Sequence, residues 1–311
     1  MEVEKKGSVL EPSYLAPRGW RFTPRGFVIW IIISLLLLWK IRVSPPFVHF
    51  SQENPHLIIL VFILGFFGLS FARRKRADIN AKANNGTITL IAASREGRKE
   101  VVQVLLDKGA DVNAKANNGT TALIAASQEG HKEVVQALLD KGADVNAKNN
   151  GGVAALIIAA LTGHKEVVEL LLDKGADVNV KTNVGVTALV FASREGHKEV
   201  VQALLDKRAD VNAKANNGTT ALMAASSKSH YGVVQALLDK GADVNAKDEE
   251  GTTALMTASS WGRRDVVQAL IDKGADVNAK TNKGKTALLL ASRKNEVKEL
   301  LIRAGAKSSK Q

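Results

Sequence analysis

Four of the six histidines in this 311-residue chain recur at one fixed interval, and histidine is a common metal ligand and proton carrier. They are His131, His164, His197 and His230, one every 33 residues. A metal site needs several ligands that converge on one ion, but each of these histidines falls in a different copy of a repeating unit, with no second ligand type nearby in sequence. We therefore interpret the row as scaffold and predict no metal site.

The other residues that could do chemistry repeat in the same way. Asp-Lys pairs such as Asp140 and Lys141 recur with the period, and so does a column of single lysines. An alternative role for the column is attraction of an acidic partner or of lipid headgroups, although nearby Asp and Glu largely balance its charge. The column comprises Lys82, Lys115, Lys148, Lys181, Lys214, Lys247 and Lys280.

No constellation typical of an enzyme stands out from the repeats. The sequence has no Gly-Lys phosphate loop, no Gly-x-Ser-x-Gly nucleophile turn and no carboxylate pair set apart from the repeat pattern. Because the chain has no cysteine, thiolate metal sites and cysteine nucleophiles are excluded as well. We therefore predict a protein that is not an enzyme and has no cofactor.

The repeating unit is 33 residues long and predicts two short helices and a turn. In the copy from Ala110 to Gly142, two groups of apolar residues fall at helical spacing on either side of Gly130. The Asn-Gly step in "AKANNGTT" is typical of a turn. The apolar positions are Leu123, Ile124, Ala126, Val134, Val135, Leu138 and Leu139, and the copies start at Ala77, Ala110, Ala143, Ala176, Ala209, Ala242 and Ala275.

This unit resembles the ankyrin repeat, through a frame that reads T-x-L, A, GH, VV, LL and GADVN in seven copies over residues 77–305. The resemblance implies an all-α solenoid of helix pairs with hairpin-like turns, which binds partners at its turn tips and on the concave face made by the first helices. The chain departs from the family's Thr-Pro-Leu-His signature, since Ala122 replaces Pro and Ile124 replaces His. A shorter, basic seventh copy is predicted to cap the stack before a basic tail at 306–311.

Two apolar segments precede the repeats. Residues 24–43 and 55–72 are twenty and eighteen residues long, close to the ~20 that span a bilayer, and each begins with a Pro that follows a capping residue. We predict two transmembrane helices, with residues 1–23 before them and a short external loop at 44–54. The second segment is followed by a basic flank of Arg73, Arg74, Lys75 and Arg76.

The flanking charge predicts the orientation. Arginines before the first span and the basic flank after the second place both termini and the repeats in the cytoplasm by the positive-inside rule. With no linker after Arg76, the repeats would be held close to the membrane. The excess positive charge lies mainly around the apolar segments rather than over the repeats, which argues against nucleic acid as a partner. The alternatives are a signal-type first segment on a secreted or surface-exposed protein, and an accessory subunit of a membrane transport complex.

We expect a protein partner, of unknown identity, to bind where the copies differ. Trp, Tyr and Arg carry much of the energy at protein interfaces, so an irregular cluster in copies five and six is the preferred site. The alternative is structural, with the Trp resting on a neighbouring copy and apolar substitutions at tolerant surface positions. The cluster comprises Lys228, His230, Tyr231, Trp261, Arg263 and Arg264, and a second, apolar patch in copies three and four comprises Val153, Leu161, Val184 and Val186.

Overall fold

The structure is a computed structural model, and it describes residues 88–307. The predicted spans at 24–43 and 55–72 and the basic flank at 73–76 lie outside these residues. No helix between residues 88 and 307 is both long enough and apolar enough to cross a bilayer.

The described part is all-α, which confirms the predicted solenoid of helix pairs. Seven pairs follow one another, and the extended pairing within residues 88–307 is limited to two isolated bridges, Lys148 with Ala154 and Lys181 with Thr187. The pairs, first helix then second, are Thr89–Arg95 and Lys99–Asp107, Ala122–Glu129 and Lys132–Asp140, Ala155–Thr162 and Lys165–Asp173, Ala188–Glu195 and Lys198–Asp206, Ala221–Lys228 and Tyr231–Asp239, Ala254–Trp261 and Arg264–Asp272, and Ala287–Leu290 and Asn295–Arg303.

Local sequence sets where each first helix begins and ends. In copy two, the Thr121 hydroxyl accepts a hydrogen bond of 3.3 Å from the Ile124 amide, which satisfies one of the free donors at the helix start. Gly130 then ends the helix at φ 77°, a left-handed conformation that glycine adopts without steric cost. Copy three has Ala154 in place of the capping Thr, and its first helix has no side-chain cap.

The core is a column of equivalent side chains between successive copies. Five leucines occupy the same position in five consecutive first helices, and all are fully buried. Burying a leucine contributes about 1.5–3 kcal/mol, and each copy supplies only part of the burial of its neighbour. The stability of a copy therefore depends on the copies beside it. The leucines are Leu123, Leu156, Leu189, Leu222 and Leu255.

Hydrogen bonds also join the turns of neighbouring copies. We call the turn before each first helix a finger; the fingers of copies two to seven are residues 114–121, 147–154, 180–187, 213–220, 246–253 and 279–286. In copies three to seven, one backbone amide of the finger donates to a carbonyl of the preceding finger, as in the bond of 3.0 Å from Asn150 N to Asn118 O. Asparagine amides add further bonds, such as that of 3.2 Å from Asn150 Nδ2 to Asn117 O. These contacts fix the fingers side by side.

Candidate partner-binding surface

The histidine row joins each copy to the one before it. The Nε2 atoms of His131, His164, His197 and His230 lie 2.9–3.1 Å from carbonyl oxygens in the preceding copy. Because a carbonyl oxygen only accepts, Nε2 carries the proton and donates. No group of three or more metal-ligating side chains occurs between residues 88 and 307. The row is therefore placed as an inter-copy contact of the stack.

The lysine column makes a second inter-copy contact. In copies two to six, each column lysine donates from its ammonium to the backbone carbonyl of the next lysine in the column, over distances of 3.0–3.5 Å. In the same copies, the lysine that follows the second helix donates to a carboxylate of the preceding copy, as in the pair of 2.9 Å from Lys141 Nζ to Asp107 Oδ1. These lysines of copies two to six thus have partners within the stack.

These ion pairs form a ladder of five rungs along the outer end of the second helices. Hydrogen bonds from Lys141 and then Gln103 hold the pKa of Asp107 below its ordinary value. The pKa of Asp206 is lowered in the same way, by Lys240 and then Gln202, and hydrogen bonding to Asp173 raises the pKa of Lys207. All of these groups are solvent-exposed, so each rung contributes little by itself.

The predicted cluster in copies five and six is divided by these same contacts. His230 belongs to the histidine row, with Nε2 3.0 Å from Arg194 O. Arg263 occupies the histidine position of copy six, and its Nε donates to Ser227 O over 3.4 Å. Two of the six predicted residues therefore contact the preceding copy of the stack.

The other members of the cluster lie on two different surfaces. Tyr231 begins a second helix, accepts a hydrogen bond of 2.9 Å from Gln235 and lines a shallow groove between second helices. Arg264 also begins a second helix and forms long ion pairs with Asp265 and Glu296, of 3.6 and 3.8 Å. Lys228, at the end of a first helix, is exposed.

Trp261 lines a separate groove, on the side of the first helices. The groove has a volume of about 410 Å³ and lies between the first helices and fingers of copies six and seven. The indole is 60% exposed, and Met256 and Leu290 also line the groove. The structure thus places Trp261 and Tyr231 in different grooves.

The finger residues that line this groove are charged, and they were not predicted from the sequence as part of a site. The finger of copy six contributes Glu249 and Glu250, and the finger of copy seven contributes Lys283 and Lys285. The signal was present, because "AKDEEGTT" and "AKTNKGKT" replace the uncharged tips of the earlier fingers. These tips lie in the fingers, whereas the predicted cluster lies in the turns between the first and second helices.

The second predicted patch is only partly exposed. Val153 and Val186 are half-buried against the core, whereas Val184 at its finger tip is 63% exposed. Leu161 is half-buried, and its carbonyl accepts the bond of 3.1 Å from His197. Phe191, at the same position of the repeat as Ile158, is half-buried, with the Arg194 guanidinium 5.1 Å from its ring centroid.

Comparisons with known proteins identify the repeat. The family model described as ankyrin repeats (3 copies) matches the chain at residues 53–149, 90–182, 156–248, 211–281 and 246–311. Among solved structures, the chain is similar to the crystal structure of the human ASB11 ankyrin repeat domain, with 28% sequence identity and a TM-score of 0.66. That match covers 72% of this chain and 100% of the other. A search of the curated proteins gives no significant match.

Proposed function

Because the chain belongs to the ankyrin-repeat family, we propose that it is a non-catalytic scaffold whose repeat stack binds a protein partner and holds it at a membrane surface. Repeats of this family are in general protein-interaction modules. The partner-binding site in this proposal is the groove between copies six and seven.

The exposed indole of Trp261 carries the binding half of the proposal. A large aromatic side chain is normally buried, whereas this one lies 60% exposed in a groove with aliphatic side chains beside it. Trp is enriched among the residues that dominate interface energies, above all in pockets that a partner can desolvate. Its counterparts in the earlier copies include Glu129 and Lys228, so the stack does not require an aromatic residue there.

The membrane half rests on the sequence. Residues 24–43 and 55–72 have the length and apolar character of bilayer spans, and the basic flank at 73–76 favours a cytoplasmic location for the repeats. The first copy starts at Ala77, directly after that flank. A partner bound by the repeats would then be concentrated at the cytoplasmic face.

Affinity capture from membranes of the native host tests the binding half. The full chain is compared with Trp261→Ala and with Tyr231→Ala, a matched control in which an exposed aromatic residue is removed from the other groove. Circular dichroism checks that both variants keep the helical content of the parent. We expect a protein that the parent and Tyr231→Ala retain and Trp261→Ala loses. Equal capture by all three chains would contradict the assignment of the groove.

Insertion into glycosylating microsomes tests the membrane half. Asn118 and Asn217 each begin an Asn-Gly-Thr acceptor sequence at an exposed finger tip. With the spans intact, we expect the chain to resist extraction at alkaline pH and to remain unglycosylated, because its repeats face the cytoplasmic side. A mass increase that a glycosidase removes would contradict this orientation and favour the secreted or surface-exposed alternative.

A further inference from the structure

The two fingers that border the Trp261 groove carry opposite charges. Glu249 and Glu250 line it from copy six, and Lys283 and Lys285 line it from copy seven. The equivalent positions in copies two to five hold only Asn, Gly, Val and Thr. Among the fingers of copies two to seven, an acidic tip therefore lies next to a basic tip only between copies six and seven.

These four charges are available to a ligand. None of the ion pairs between residues 88 and 307 includes any of the four side chains. The fingers are joined through the backbone instead, because Asn282 donates from its amide to Glu250 O over 2.9 Å and from its side chain to Glu249 O over 2.8 Å. The carbonyls of the two glutamates thus serve the stack, while both residues line the groove and their side chains make no ion pair within residues 88–307.

The spacing of the fingers limits the ligand. Packed helices lie about 8–10 Å apart, and neighbouring fingers follow the same repeat. An extended chain advances about 3.3 Å per residue, so groups that meet adjacent fingers are about two or three residues apart.

Building on the partner-binding function proposed above, we propose that the groove binds an extended peptide segment that carries a basic and an acidic side chain two or three residues apart, beside an apolar side chain. The basic side chain lies against Glu249 and Glu250, and the acidic one lies against Lys283 and Lys285. The apolar side chain packs on Trp261, which lines the same groove.

The charge pattern favours this ligand over a uniformly charged one. A nucleic acid or an anionic lipid surface would gain from Lys283 and Lys285 but would be repelled by the two carboxylates next to them. Because the four charges cancel, the order of charges in the ligand decides the fit, and its net charge does not.

A charge exchange tests the proposal. Peptides are selected from a phage-displayed library of random 12-residue sequences on the immobilised full chain. The comparison chain carries Glu249→Lys, Glu250→Lys, Lys283→Glu and Lys285→Glu, which keep the composition and net charge of the parent. All four side chains are exposed, and circular dichroism checks the fold of the variant. Each selected peptide is synthesised in its own form and with its basic and acidic residues exchanged.

We expect the native peptide to bind the exchanged chain at least about tenfold more weakly than the parent, because like charges then face each other. The exchanged peptide should show the reverse preference, with its affinity restored on the exchanged chain. This rescue does not depend on the direction in which the peptide runs.

The outcomes separate this proposal from the function on which it rests. Peptides that need Trp261 but bind the parent and the exchanged chain equally would overturn the charge assignment and leave the groove as a binding site. A library that yields no peptide sensitive to Trp261→Ala would overturn both.

Discussion

The joint between copies four and five and the joint between copies five and six use different residues for the same contact. In the first, Gly196 ends the first helix of copy four, and His230 of copy five donates to Arg194 O over 3.0 Å. In the second, Ser229 takes the place of the glycine, and Arg263 donates to Ser227 O over 3.4 Å. Residues that look like surface variation in the sequence are, in the structure, a matched pair of substitutions.

The reason for the match is steric. A Cβ added to Gly196 would clash with Nδ1 of His230, so a histidine in the next copy requires glycine at this position. Ser229 does have a Cβ, at φ 69°, and the histidine position of the next copy holds the flexible Arg263, which donates to Ser227 O, rather than an imidazole. The comparison teaches that the side chain ending one copy constrains the side chain that the next copy can use.

The largest effect is expected when serine, which ends the first helix of copy five, replaces the glycine that ends the first helix of copy three. Gly163→Ser puts a Cβ at φ 82°, with His197 Cε1 at 2.7 Å. The left-handed backbone and the crowding together should lower the free energy of unfolding by about 2–4 kcal/mol. Urea unfolding of the full chain, followed by far-UV circular dichroism, measures it.

Gly175→Ser is the matched control for that change. Gly175 has φ 86° but no atom within 4 Å of an added Cβ, so only the backbone strain applies, about 1–2 kcal/mol. Equal losses at the two glycines would show that the histidine does not impose the steric requirement.

A double-mutant cycle tests whether Ser229 and Arg263 depend on each other at the joint between copies five and six. Arg263→His should destabilise the chain that retains Ser229, because the imidazole then meets the serine Cβ. The same change should be tolerated after Ser229→Gly, which recreates the regular joint. We expect a coupling energy of about 1–2 kcal/mol between the two positions in urea unfolding. Simple additivity would contradict the matched pair.

A smaller change, in this case an increase in the free energy of unfolding, is expected when left-handed backbone strain alone is removed. Ser229 and Arg208 are the non-glycine residues with positive φ between residues 88 and 307, at 69° and 63°. Ser229→Gly and Arg208→Gly should each raise the free energy of unfolding by about 1 kcal/mol. Ser229→Ala keeps the Cβ and should give no gain, so a gain from alanine would argue against backbone strain as the cause.

The smallest effect per contact concerns the ion-pair ladder, which continues unchanged through both kinds of joint. The folded-state pKa values of Asp107, Asp140 and Asp206 lie below the ordinary 3.8, so their contribution to stability is present above that pH and is lost as the pH falls through the lowered values. Thermal unfolding midpoints should therefore decrease between pH 5 and pH 2. Replacing the three aspartates by asparagine should flatten that decrease, and an unchanged pH profile would contradict the assignment.

The fold was largely predictable because its determinants are local. The capping Thr121, the left-handed Gly130 and the apolar spacing between them each act within a few residues, and the helix pair that they predict is confirmed. The sequence does not predict whether an irregular residue lies on the surface of the first helices or on that of the second helices. Trp261 ends a first helix and Tyr231 begins a second one, so irregular residues at equivalent turns reach different grooves.

The candidate site was predictable only in part for the same reason. Trp261 stands out by its type, but the role of Arg263 depends on a carbonyl 36 residues earlier, a contact that the sequence does not display. The charged tips at 249–250 and 283–285 were visible as departures from the repeat. Their meaning required knowing that both fingers border the groove of Trp261.

The hydrogen bonds between neighbouring fingers affect how the stack responds to a pulling force. Between copies two and three, Asn150 N and Asn150 Nδ2 donate to the preceding finger, and Lys115 Nζ donates to Lys148 O of the following one. Tension between the first and last copies would load the joints between copies in series, so every joint bears the full force and the contacts within one joint share it. The weakest joint would yield first and lengthen the molecule by one step. Under load, the stack would thus extend in increments of one joint at a time.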